Sequence, residues 1–331
     1  MPGILLIQTA SIGDVILITP VIEKLNSFFP GEKIDVLLKK GNEGLFQEHP
    51  LIHELLIWDK SKNKFKNSYR LFLRIRKNGY QRIINFQRFA STGFITAFSG
   101  ASFTAGFDKN PFSFLFTKRI RHEIYPESSI HETARNLKLI QSFTDNSLSP
   151  PKLYPTAQDN DFVREFKGSS YICIAPASLW GTKQFPASKW IEFIIKLSSS
   201  LTVYLVGASS DAILCEEIKK NCSHNKIINL AGKLNMLQSA SLIKDALINY
   251  VNDSAPMHLA SSVNAPTAAI YCSTIPDFGF GPLSEKSFII ETKEKLECRP
   301  CGLHGHDQCP EGHFNCALTI PTDVLISCLN S

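Results

Sequence analysis

Asn252-Asp253-Ser254-Ala255-Pro256-Met257-His258-Leu259-Ala260 is the stretch on which the fold turns. Before it stands an apolar run, 246–251, that reads as a buried strand, and 257–263 reads as a short helix. Asp253 and Ser254 are residue types that cap helix N-termini, and Pro256 suits a first helical turn, where its missing N–H is not needed. A strand that feeds a helix N-terminus leaves backbone N–H groups at the carboxyl edge of a sheet, a natural seat for a diphosphate. On its own the stretch better describes an ordinary capped turn, since most such turns bind nothing, so its meaning depends on the rest of the chain.

Outward from it, in both directions, strands and helices alternate. Short apolar strands are expected at 171–175, 203–206, 227–230 and 267–271, with helices at 187–197, 211–220 and 236–245. Towards the N-terminus, strands are expected at 4–7, 34–38, 55–58 and 82–86. Helices are expected at 15–28, 66–77, where Leu71, Phe72 and Ile75 share a face, 91–98 and 131–143. Between the two series, 144–167 is polar and carries Pro150-Pro151 and Pro155, the best linker candidate. The expected fold is therefore α/β with two doubly wound, Rossmann-like parallel-sheet domains facing a central cleft. The first is assigned to 1–150, a linker to 151–168 and the second domain to 169–331, with a cysteine-rich segment at 298–316.

The totals fit that reading. A chain of 331 residues, 44% hydrophobic and 20% charged, is sized for two globular domains. No apolar run is long enough to span a bilayer, and Asp14 interrupts the first apolar segment, so no signal pattern is expected and the protein reads as cytoplasmic. Charge is uneven. Residues 1–150 carry 20 Lys+Arg and 13 Asp+Glu, against 15 and 17 in the remainder. A basic first half suits an anionic partner such as a membrane surface or a phosphorylated acceptor, although it can also serve solubility alone. No nucleic-acid-binding motif is present. Phenylalanines 98, 103, 107, 112, 114 and 116 make an aromatic stretch, expected to be core, with a greasy mouth for a lipid-linked substrate as the alternative.

Three places carry chemistry. After the first strand comes Ser11-Ile12-Gly13-Asp14, which lacks the glycine fingerprint of a dinucleotide-binding loop and so argues against a dehydrogenase. A carboxylate beside a helix start is held as the anion, able to act as a general base or simply to cap. After the strand at 171–175 comes Ser178-Leu179-Trp180-Gly181-Thr182-Lys183, with hydroxyls and a point charge suited to phosphate. The third is Cys298, Cys301, Cys309 and Cys316, interspersed with His304, His306 and His313. Its composition is that of a structural zinc site, but the spacing is not that of a standard finger, which leaves reduced thiols as the alternative.

Ser11-Ile12-Gly13-Asp14-Val15, Ser178-x-Trp180-x-Thr182-Lys183 and Asp253-Ser254-Ala255-Pro256-Met257-His258, with Ala231-Gly232-Lys233 and Phe278-Gly279-Phe280-Gly281-Pro282, give the chain a resemblance to the bacterial lipopolysaccharide heptosyltransferase family, inverting glycosyltransferases of GT-B fold. The resemblance implies a metal-independent transferase acting on a nucleotide-diphospho sugar, ADP-heptose, and on a lipid-linked anionic glycan. It places the work in the cytoplasm, with peripheral contact at the inner membrane. It implies Asp14 as general base, with Ser11 and Gly13 on the acceptor side. It also implies Ser178, Thr182 and Lys183 on the diphosphate, and Asp253, Ser254, Ala255, Met257 and His258 at the donor. Ala255 and Phe185 depart from the family's usual glycine and tryptophan, and Cys272-Ser273-Thr274 from its Gly-Pro pair. A same-fold enzyme using another nucleotide sugar, or a silent sugar-nucleotide binder, are the competing readings.

Overall fold

A computed structural model describes residues 3–61, 64–124 and 129–331. They fall into two compact units, one from Met1–Tyr125 and Ile130–Tyr154, the other from Pro126–Ser129 and Pro155–Ser331.

The first unit runs β1 (Ile4–Gln8), α1 (Ile12–Ile16), α2 (Thr19–Phe28), β2 (Ile34–Lys39), β3 (Glu54–Trp58), α3 (Lys64–Asn78), β4 (Arg82–Asn85), α4 (Ala90–Ala97), β5 (Phe103–Phe107), β6 (Lys118–Ile120) and α5 (Glu132–Leu137). The sheet order is β3-β2-β1-β4-β5-β6, all pairings parallel. β1 is buried along its whole length, as a strand covered by helices on both faces must be, which is why it reads as an unbroken apolar run.

The second unit runs α6 (Ala157–Phe162), β7 (Tyr171–Ala175), α7 (Ala187–Ile195), β8 (Thr202–Leu205), α8 (Ala212–Lys220), β9 (Ile227–Asn229), α9 (Met236–Lys244), β10 (Asn249–Asn252), α10 (Ala255–Ser262), β11 (Thr267–Tyr271), β12 (Ser287–Glu291), α11 (Asn315–Leu318) and α12 (Thr322–Asn330). Its order is β12-β11-β10-β7-β8-β9, again all parallel. Counted from each unit's own first strand, the two orders are the same. The chain direction reverses between β1 and β4 in one unit and between β7 and β10 in the other. Crevices for ligands form at the carboxyl ends of strands that flank such a reversal. The loops that follow β1, β7 and β10 are those singled out from the sequence.

Each unit has its own core. Leu5, Ile7, Leu37, Leu56, Trp58 and Ile83 pack in the first, Ile172, Ile174, Phe185, Trp190, Phe193 and Tyr250 in the second. Each such side chain contributes about 1.5–3 kcal/mol on burial.

Three expectations change. The helix expected over 15–28 is two helices, because Pro20 has no N–H for the Ile16 carbonyl and the Thr19 hydroxyl takes that acceptor instead at 2.8 Å. The helix expected over 131–143 is α-helical only as α5, and continues in tight turns through Leu139, Ile140 and Phe143. The stretch expected as a linker contains α6, tied to the second unit through Ser241 Oγ–H and Asn160 Oδ1 at 2.6 Å.

Candidate active site

In the second unit the two loops at the chain reversal are joined by one amide. Asn252 ends β10, fully buried. Its Nδ2 donates to the Pro176 carbonyl at 2.8 Å, and its Oδ1 accepts the Phe185 N–H at 2.9 Å. It thus staples both ends of the 176–185 loop to β10. Phe185 is buried against Trp190, centroids 5.1 Å apart, which fixes where the loop re-enters α7.

Lys183, at the end of the short 3-10 turn Gly181–Lys183, places Nζ 2.6 Å from Asp253 Oδ2. The same oxygen accepts the Thr274 hydroxyl at 2.7 Å. Asp253 and Thr274 are buried, and the Lys183 side chain keeps 14% exposure. A pair so shielded from water is electrostatically strong but costs desolvation, so the arrangement holds the ammonium in one place more than it stabilises the fold.

Ser254 is the residue preceding α10. Its backbone is extended, and its hydroxyl reaches back towards the Asn252 carbonyl rather than capping the helix. Asp253 is spent on Lys183. Neither side chain therefore fills the helix N-terminus, which leaves that end to backbone groups. Here the sequence expectation needs correcting. Pro256 has no N–H, and the Met257 N–H goes to the Ser254 carbonyl at 3.0 Å. The Met257 side chain is buried beneath the Tyr271 hydroxyl, and the His258 ring lies in the interior near Phe280.

Thr182 also does something the sequence did not suggest. It is 2% exposed, its N–H donates to the His306 carbonyl at 2.9 Å, and its hydroxyl oxygen accepts the His306 N–H at 2.8 Å. The cysteine-rich segment is thereby strapped onto the Lys183 loop. Trp180 and His304 stack at 6.5 Å. A Cβ on Gly181 would stand 2.0 Å from the Asp307 carbonyl oxygen, so only glycine permits this approach. Ser178 stays half-buried at the loop's start, its carbonyl accepting from Gln184.

Arg299 anchors the other end of the strap. Its guanidinium donates to the carbonyls of Cys272 and Thr274, each at 2.8 Å, and to Glu291 at 2.7 Å. The Cys301 N–H donates to the Ser273 carbonyl at 2.8 Å. The Ser273 hydroxyl is buried and has no hydrogen-bond partner among the described residues.

The cysteine-rich segment expected as a zinc site holds no preformed one. Among the described residues, no three of His, Cys, Asp and Glu are arranged to hold a metal ion. Cys298 Sγ meets His313 Nε2 at 3.9 Å, while Cys316 is drawn into the core of the second unit. The thiols remain neighbours. Burial first, then Cys298 and Cys309, raises the Cys301 pKa, and burial pushes Cys316 up to about 11.

In the first unit, Ser11 precedes α1 and Asp14 stands in its first turn. Asp14 Oδ2 accepts from the Ser11 N–H at 3.2 Å and from its hydroxyl at 2.5 Å. These donors and the helix start both favour negative charge on the carboxylate. Gly13 is buried in α1. Side-chain amides brace the loop. Asn42 Nδ2 donates to the Ala10 carbonyl at 3.0 Å, and Gln87, which follows β4, donates to Gln8. Asn42, Gln87, Asn252, Thr274 and Arg299 were not legible as site residues. The one signal for the first four is an amide or hydroxyl standing at or just past a strand end, and Arg299 carries none.

Two parallel sheets of one topology, with an anion-suited loop at the reversal of the second, define a two-domain α/β protein of GT-B type. The model of glycosyltransferase family 9 (heptosyltransferase) matches residues 68–311. The chain is 26% identical to lipopolysaccharide heptosyltransferase 3 of Escherichia coli over 275 residues, 79% of this chain and 81% of that protein. Its fold is shared with the ADP-heptose LPS heptosyltransferase II of E. coli at a TM-score of 0.81 and 20% identity, covering 99% of this chain and 97% of the other. It is shared too with a family 9 glycosyltransferase of Veillonella parvula, at a TM-score of 0.85 and 20% identity, covering 99% and 96%. The protein belongs to glycosyltransferase family 9 (heptosyltransferase) and is a glycosyltransferase. Among the described residues no helix is long and apolar enough to cross a membrane.

Proposed function

We propose that this protein transfers a heptose from ADP-heptose to a sugar hydroxyl of the lipopolysaccharide core, with inversion at the anomeric carbon. The acceptor oxygen attacks that carbon on the face away from ADP. Its proton passes to the Asp14 carboxylate, the bond from the anomeric carbon to the β-phosphate oxygen breaks, and ADP leaves with the electron pair. Negative charge grows on the diphosphate as that bond lengthens. A lysine ammonium and the start of α10 are therefore worth more in the transition state than in the ground state.

The observation that carries the proposal is the Lys183–Asp253 pair at the reversal of the second sheet. In this reading Asp253 and Thr274 act by orienting Lys183. Ser178 and the backbone of Ser254 and Ala255 take phosphate oxygens, while Thr182, Met257 and His258 shape the pocket wall. Ser11 and Gly13 stand on the acceptor side with Asp14. The scheme assigns no step to a metal ion. ADP-heptose as donor and the lipopolysaccharide core as acceptor are supported by the family and by the E. coli relatives.

The test is ligand-dependent melting followed by turnover. ADP should raise the melting temperature where UDP and GDP do not, since a ligand bound only by the folded state stabilises it by mass action. ADP-heptose with a panel of truncated cores should yield product with one of them. Stabilisation by UDP or GDP in place of ADP would replace the proposed donor, and no response to any nucleotide would leave a silent relative.

A further inference from the structure

Behind the loop that carries Asp14 runs a chain of buried side-chain amides, and Gln87 is the link that reaches the loop. Gln87 lies just past β4, the strand paired with β1, and is buried. Its backbone is fixed on both sides. The N–H donates to Asn85 Oδ1 at 2.9 Å, and the carbonyl accepts from Asn110 Nδ2 at 2.8 Å. Each holder is itself held. Asn85 Nδ2 donates to the Thr96 hydroxyl at 2.9 Å, which in turn donates to the Thr92 carbonyl within α4 at 2.9 Å. Asn110 Nδ2 also donates to the Phe89 carbonyl at 3.1 Å, and α4 has a glycine, Gly93, where a Cβ would strike Asn110 Oδ1. Asn85, Thr96 and Asn110 are all buried.

A backbone mounted in this way aims its side chain in one direction. Gln87 Nε2 donates to Gln8 Oε1, and Gln87 Oε1 accepts the Thr9 hydroxyl at 3.5 Å. Gln8 ends β1 and turns its amide back over the loop. Its Oε1 also accepts the Ala10 N–H at 3.3 Å, and its Nε2 reaches the Asp14 carbonyl at 3.4 Å. Gln8 thus spans the turn from the strand end to α1, and Gln87 sets which way round that amide sits, since a donor on Oε1 leaves Nε2 for Asp14. Burying these carboxamides is costly unless their bonds are made, so the network favours a single arrangement of the loop over any slackened one.

We propose, resting on the reading of Asp14 as general base, that Gln87 is a positioning residue for that base. Through Gln8 it keeps the 8–14 loop in the arrangement that aims the Asp14 carboxylate at the acceptor hydroxyl. A general base works only within hydrogen-bond reach of the proton it takes, so a small drift of its loop is felt in turnover and not in donor binding.

The test is a double-mutant cycle in the full chain. Gln87→Leu keeps the bulk and removes both side-chain bonds to the loop. Transfer from ADP-heptose to the truncated core that the native chain accepts should fall about 10–100-fold, with KM for ADP-heptose within about twofold of native. In an Asp14→Asn background the same substitution should cost less than about twofold, because nothing is left to position. Gln8→Leu should repeat the loss, and the Gln8→Leu/Gln87→Leu pair should lose no more than the worse of the two, since both cut one chain. Without any substrate, hydrogen exchange at the Ala10 amide should quicken in Gln87→Leu while β1 and β2 stay protected, which separates a slackened loop from a lost fold. An equal loss in the native and Asp14→Asn backgrounds, or unchanged exchange at Ala10, overturns the proposal. Full turnover in Gln87→Leu beside a crippled Asp14→Asn removes the positioning role alone, whereas near-native transfer by Asp14→Asn removes the base and the positioning role with it.

Discussion

Lys183 Nζ and Asp253 Oδ2 stand 2.6 Å apart, and the Thr274 hydroxyl donates to the same Asp253 oxygen. The two residues come from loops 70 positions apart in sequence that meet because β7 and β10 are neighbours in the sheet. In the proposed reaction a diphosphate beside this pair would compete with Asp253 for the ammonium. The aspartate would then position the lysine rather than the anion.

Lys183→Met should accordingly lower turnover about 10²–10³-fold, the scale on which a lost transition-state donor is felt. It should also weaken ADP binding, read by calorimetry. It also leaves the Asp253 carboxylate with Thr274 alone. Because Lys183 keeps some contact with water, the stability loss should be about 2–3 kcal/mol, below the range for fully buried pairs. Asp253→Asn should give the opposite pattern: ADP binding retained or improved and turnover lower, as an unanchored lysine no longer follows the leaving phosphate. Equal ADP affinity in the native protein and Lys183→Met would remove the lysine from the donor site.

Asp14→Asn keeps the size of the side chain and an oxygen for the Ser11 donors, and loses the proton acceptor. Turnover should fall about 10²–10⁴-fold, the usual worth of a positioned general base. The ADP-induced rise in melting temperature should stay as it is. Near-native transfer by this variant would show that Asp14 is a helix cap and nothing more.

What the sequence disclosed follows from where the information is local. β1 and β7 are buried on both faces, so they had to be apolar runs and were visible as such. Asp14 and Lys183 stand next to those runs and could be read with them. Asn252 lay within the opening motif, but nothing in a linear reading says that its amide reaches the Pro176 carbonyl and the Phe185 N–H. The roles of Thr182 and Arg299 were hidden for the same reason, since their partners, His306 and the carbonyls of Cys272 and Thr274, are long-range in sequence or backbone groups without identity. The phenylalanines misled by composition: the same residue type faces inward at 107, the end of β5, and outward at 114 in the loop that follows.

His49 should make the first unit sensitive to acid. It is 6% exposed, packed on Phe46 and Tyr154 at 5.3 and 4.9 Å, with Nδ1 accepting the Leu51 N–H. Burial, and then the nearby Lys152 charge, lowers its pKa to about 4 from the ordinary 6.5. The folded state thus holds His49 neutral where the unfolded chain takes up a proton. Its contribution is fully present above pH 6.5 and is lost progressively as the pH falls towards 4, by up to about 3 kcal/mol. His49→Asn keeps an acceptor for Leu51 and removes the titration. Urea unfolding between pH 6.5 and 4 should show a flatter stability profile for the variant, and parallel profiles would refute the assignment.

Gly181 and the Asp307 carbonyl test whether the strap serves the site. A Cβ on Gly181 would lie 2.0 Å from that oxygen, a backbone atom that no side-chain rotation can clear. Gly181→Ala must therefore push the segment around 305–307 away or shift the Lys183 turn. Overpacking of this kind costs about 1–3 kcal/mol. If the strap only covers the unit, melting should fall while the response to ADP persists. If the two bonds between Thr182 and His306 hold Lys183 in register, both melting and the ADP response should fall together, and that joint loss is the expected result. Gly44→Ala is the control. Nothing lies within 4 Å of the added carbon there, so it should leave both measurements within about 0.5 kcal/mol of the native protein. Full ADP response in Gly181→Ala, with lowered melting, would reduce the strap to a structural cover.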